Sequence, residues 1–114
     1  MLAEGTKLFL SHRRIFDRDQ SRYFVGTVLA YQDGLVKVSG YSFVRDMSTG
    51  AMLRKDDIRT RIVSLSSGFF IVYELPATTD VASATLETEG NEMLLVDGKD
   101  LRLNLAENAR QGKI

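Results

Sequence analysis

The sequence predicts a single small all-β domain, and three observations carry that prediction. Short runs rich in Val, Ile, Phe, Tyr and Thr alternate with polar residues at the two-residue period of a half-buried strand. Polar breaks separate the runs, among them Asp33-Gly34 and Asp97-Gly98, pairs that tolerate the positive φ angles of a tight hairpin turn. No stretch holds the 3.6-residue period over the length a stable helix needs; residues 104–111 come nearest and are short and weakly patterned.

The elements follow in order. Leu8, Leu10, Ile15 and Phe16, interrupted by Ser11, His12, Arg13 and Arg14, suit a slightly bulged first strand, and the polar residues 17–22 suit a hairpin loop. Residues 23–31 form the second strand, with Gly26 where a strand bends or lets another backbone approach. After the Asp33-Gly34 turn comes a third strand over residues 35–44. Residues 45–57 combine charge, a Ser-Thr-Gly cluster and two methionines, and read as a longer excursion between strands, with a short helical turn or an irregular extension. Residues 60–65 and 69–75 are the fourth and fifth strands, divided by Ser66-Ser67-Gly68. Pro76 ends the fifth because it has no N–H for a ladder. Residues 84–88, 93–96 and 101–105, joined by turns at residues 89–91 and 97–98, predict a three-strand meander, and a polar tail starts at Glu107. The expected organisation is a core domain over residues 1–76, a β extension packed on it over 77–106, and the tail over 107–114.

Composition narrows the function classes. Apolar residues form 44% of the chain and charged residues 26%, as in ordinary globular proteins, so the chain is expected to fold. Fifteen basic residues balance fifteen acidic ones, so attraction to nucleic acid needs a local patch, not a whole-molecule field. Without cysteine there is no disulfide or thiolate chemistry. No stretch approaches the roughly 20 apolar residues of a membrane span, and the first residues lack a signal-type apolar run, so the expected location is cytoplasmic, without membrane contact.

Candidate chemistry is sparse. His12 is the sole imidazole, and no nucleophile or carboxylate is identified to work with it. Asp17 with Asp19, and Asp56 with Asp57, are interleaved with basic residues and lack the rest of a calcium loop. Ser66-Ser67-Gly68 lacks the flanking pattern of a nucleophile turn. These residues predict no enzyme, no metal site and no cofactor. Two basic clusters stand out: His12, Arg13 and Arg14 with Arg18 and Arg22, and Arg54 and Lys55 with Arg59 and Arg61. The aromatics Phe16, Tyr23 and Phe24 near the first cluster would stack on bases if they faced outward, although strand aromatics are more often core.

Two segments resemble the motifs of the Sm-like proteins. Arg22-Tyr23-Phe24-Val25-Gly26-Thr27-Val28-Leu29-Ala30-Tyr31-Gln32-Asp33 is similar to the first motif, a bent glycine-bearing strand ending in an aromatic, an acidic residue and then an apolar one, here Leu35. Ser67-Gly68 followed by Ile71-Val72-Tyr73 is similar to the second, with Ser67 in place of the usual arginine and Val36 where the family holds a base-binding asparagine. The resemblance covers residues 7–75. It implies a strongly bent five-stranded open barrel carrying the meander as an addition, with the fourth strand pairing the fifth strand of a neighbour to close a homo-oligomeric ring of about five to seven copies. Ring closure would cover the apolar edge at residues 69–73, which is hazardous when exposed.

The resemblance further implies single-stranded RNA against the two loops, with Tyr31, Asp33, Lys37, Ser67, Gly68 and Phe69 as contacts. Ile62, Val63, Leu65, Phe70, Ile71, Val72 and Tyr73 would form the subunit interface. A different class of function is an assembly or adaptor protein that keeps the ring and binds protein partners through residues 77–114. On that reading the extension is dispensable for the ring.

Overall fold

The structure, a computed structural model, describes residues 2–12, 22–89, 92–99 and 101–105. Ile15, Phe16, most of the first predicted loop, Gly90-Asn91 and the tail from Glu107 lie outside them. Two antiparallel sheets account for the described chain, and no α-helix occurs among the described residues.

The first sheet contains β1 (Lys7–His12), β2 (Arg22–Gln32), β3 (Leu35–Arg45), β4 (Met52–Arg54), β5 (Arg59–Ser64) and β6 (Phe70–Glu74), ordered β4-β3-β2-β1-β6, with β5 also paired to β3. Because β2 occupies one side of β3 from Tyr23↔Phe43 to Gln32↔Leu35, both β4 and β5 lie on the other side. There β4 takes residues 43–45 of β3 and β5 takes residues 35–40. No ladder joins β5 to β6, so the sheet is not closed into a barrel. The second sheet is β7 (Thr85–Glu89), β8 (Glu92–Val96) and β9 (Arg102–Asn104) in sequence order. A 3-10 turn, Val81–Ser83, lies between the sheets in sequence.

Local chemistry explains the curvature of the first sheet. Gly26 on β2 stands opposite Gly40 on β3. A Cβ at Gly40 would lie 1.9 Å from the Val25 carbonyl oxygen, so no side chain fits where these strands approach. A bulge follows between Val28 and Ala30, adding local twist and turning Leu29 outward. As a result one face folds toward itself. Leu8, Leu10, Phe24, Val28, Val36, Val38 and Val63 share a cluster, with Phe70 and Val72 of β6 packed against it. A flat sheet could not bring β5 and β6, the two ends of this order, to one cluster.

The opposite face is buried too. Phe9 lies at its centre, stacked on Tyr23 at 5.5 Å and tilted against Tyr73 at 6.0 Å and Phe43 at 6.4 Å. Leu86, Leu95, Leu101 and Leu105 of the second sheet region join Phe9, Val25 and Phe43 in the same core. The second sheet therefore covers the Phe9 face, and removing it would expose that face to water.

Residues 45–57 are less irregular than expected. Asp46 accepts from the Ser48 N–H and hydroxyl, the Asp46 and Ala51 backbones bond across the turn, and the chain returns as β4. Three strand residues between turn residues carry too little periodicity to announce themselves.

Candidate functional site

Asp33 and Gly34 adopt φ values of 52° and 80°, the left-handed pair that closes a two-residue hairpin. This turn fixes the register so that Lys37 lies between Ala30 of β2 and Ile62 of β5. Tyr31, Asp33 and Lys37 consequently line one shallow depression with Leu35 and Ile62. Tyr31 is half-buried against the inner core, whereas Leu35 and Ile62 are 49% and 69% exposed. The depression therefore offers an apolar floor, one cation, one carboxylate and a phenol.

The second predicted loop lies beside the first. The Leu65 N–H donates to the Gly34 carbonyl at 2.8 Å, fastening the end of β5 to the turn. Ser67 donates its hydroxyl to the Ser64 carbonyl at 3.0 Å and accepts from the Phe69 N–H at 3.3 Å, which leaves that hydroxyl without a second proton to give a ligand. Gly68 holds a φ of 79°, and Phe69 is 46% exposed. The structure thus brings Tyr31, Asp33 and Lys37 together. Ser67, Gly68 and Phe69 stand on the neighbouring loop, outside the depression.

The residues expected at a subunit contact divide by face. Ile62 points outward, while Val63 points into the inner core at 6% exposure. Leu65, Phe70 and Val72 pack against that core, half-buried, and Tyr73 packs on the opposite one. Ile71 is half-buried opposite Ser11. Both β5 and β6 keep one edge without a strand partner among the described residues.

The basic residues behave differently from one another. Arg54 is committed to the fold, donating to the carbonyls of Ala82 and Ala84 and lying over the Tyr41 ring at 5.1 Å. Arg61 donates to the Ser42 hydroxyl at 3.0 Å and covers Phe24 at 5.3 Å. With Lys55 and Arg59 it lines a notch that also includes Ser42 and Val44. Ser42 and Val44 carry no signal in sequence, since the pairing that brings them to Arg61 spans distant segments. Arg13, Arg14 and Arg18 lie outside the described residues.

His12 packs edge-on against Phe70 at 5.2 Å, at the end of β1. Asp56 and Asp57 meet Arg54 and Arg59 at 3.9 and 3.5 Å, on the surface. Among the described residues no group of three or more His, Asp or Glu side chains is arranged to hold a metal ion. Nor is any helix among them long and apolar enough to cross a membrane. No family model matches the chain, and neither a curated protein nor a solved structure matches it.

Proposed function

We propose that this protein is an Sm-like ring former that binds single-stranded RNA on the face carrying the Asp33-Gly34 turn and the 64–69 loop. The single observation that carries the reading is the Leu65 to Gly34 hydrogen bond, which makes one surface of two loops far apart in sequence. The order β6-β1-β2-β3-β5 supports it as well, because β5 and β6 each keep an edge without a strand partner among the described residues, on which a second copy would pair. In a closed ring the weak site of each copy is repeated, and Lys37 supplies one phosphate-attracting charge per copy.

A second reading is favoured by one observation: residues 66–69 contain no cation, and the Ser67 hydroxyl is already used within its loop. On that reading the ring serves as an assembly protein for protein partners. A fluorescence titration with short oligo-U and oligo-A RNA at low and moderate salt separates the two. RNA binding requires saturable binding at low salt that weakens as salt rises, and weakens by about tenfold in Lys37→Glu. No binding at low salt overturns it in favour of the assembly reading.

A further inference from the structure

We propose that the notch formed by Ser42, Lys55, Arg59 and Arg61 is a binding site for consecutive phosphates of a single-stranded polynucleotide, separate from the loop surface. The notch exists because β3 changes partner along its length. β5 pairs with β3 as far as Gly40 and β4 begins at Phe43, so the chain between β4 and β5 crosses beside residues 41–42, with the Lys55 N–H bonded to the Ser42 carbonyl.

On β5, Arg59, Arg61 and Val63 share one face. Val63 enters the inner core, and the two arginines continue that line beyond it, where the core gives way to the notch. Arg61 is held by the buried Ser42 hydroxyl and by the Phe24 ring, so its planar guanidinium is oriented before any ligand arrives. That preorganisation lowers the entropy lost on binding. Arg59 follows two residues away on the same face, about 6.6 Å along an extended strand, a separation comparable to that of neighbouring phosphates in an extended nucleic-acid strand.

Competition from within the protein is weak. Asp57 approaches Arg59 at 3.5 Å with both side chains largely exposed, and such pairs contribute little and yield to a phosphate. Asp56 is likewise exposed and meets Arg54 at 3.9 Å, outside the notch lining, so Lys55, Arg59 and Arg61 outnumber the carboxylate that faces them. A polynucleotide is favoured over an acidic peptide because guanidinium forks spaced along a strand suit a regular row of phosphates. Ile62, which lines the loop depression, points to the other face of β5, so this site is distinct from that surface and needs only one copy of the chain.

The test is a 15N–1H NMR titration of the full chain with hexathymidylate, with a hexaglutamate peptide in parallel, at about 50 and 200 mM salt. The expected result is shifts centred on Ser42, Lys55, Thr60 and Arg61 with hexathymidylate, suppressed at the higher salt. Affinity should fall by about tenfold in Lys55→Glu/Arg59→Glu. Both substituted side chains are exposed and leave the Ser42 and Phe24 contacts intact, and an otherwise unchanged spectrum verifies the fold. Shifts confined to residues 31–37 and 64–69, an unchanged affinity in the double variant, or tighter binding of hexaglutamate at the notch would each overturn the proposal.

Discussion

Gly40 and Asp97 illustrate how single residues hold this fold. At Gly40 a methyl group would meet the Val25 carbonyl at 1.9 Å and the Gly26 Cα at 2.5 Å, both backbone atoms that cannot rotate away. Gly40→Ala is therefore expected to destabilise the protein by more than about 3 kcal/mol, seen as a lower urea midpoint; an unchanged midpoint would mean the strands do not approach as described. Asp97 is 3% exposed. One carboxylate oxygen accepts from the Asp80 N–H at 2.9 Å, and the other accepts from the backbone N–H groups of Lys99 and Leu101 at 2.9 and 3.2 Å. The Asp80 N–H is the largest influence holding this carboxyl below the usual carboxylate range, against the opposing effect of burial. Since the folded value lies below the unfolded one, near 3.9, the stabilisation is present above about pH 4 and is lost as pH falls through the folded value. Asp97→Asn should lower the thermal midpoint at pH 7, and the gap from the unsubstituted protein should narrow below about pH 4. A gap that stays constant down to pH 2 would show that the charge does not matter.

At the scale of elements, the second sheet is a covering layer for the first. Its leucines close over Phe9, Val25 and Phe43, and Arg54 reaches from β4 to the carbonyls of Ala82 and Ala84 at the 3-10 turn. A chain ended at Pro76 should consequently fail to fold to its native state, showing anilinonaphthalene sulfonate binding and no cooperative thermal transition. A cooperative transition in that shortened chain would make the second sheet an appendage. The main strands were legible in the sequence because each has its own alternation and its own turn chemistry: Asp33-Gly34 announced the β2–β3 hairpin, and Pro76 follows directly on Leu75 at the end of β6. What was not legible depends on partners. β4 has three residues and no period of its own. The two buried faces of the first sheet share the same alternation, so residues 7–75 alone do not disclose that both are covered. The loop surface was half-legible: Tyr31, Asp33, Leu35 and Lys37 meet through a local turn, whereas Ile62 completes the depression through long-range pairing of β3 with β5.

At the scale of the whole molecule, a formal charge of zero leaves attraction of a polyanion to local features, and the described residues offer the loop depression with Lys37 and the notch with Lys55, Arg59 and Arg61. In the sheet that positions them, β5 and β6 each keep one edge without a strand partner among the described residues. Association through those edges would align the loop surfaces around one axis and turn a shallow depression into a continuous binding face. Light scattering coupled to size-exclusion chromatography tests this ring most directly. A ring gives a single species whose mass is about five to seven times the 12.8 kDa of one chain, unchanged on dilution through the micromolar range. A single species at 12.8 kDa would contradict it.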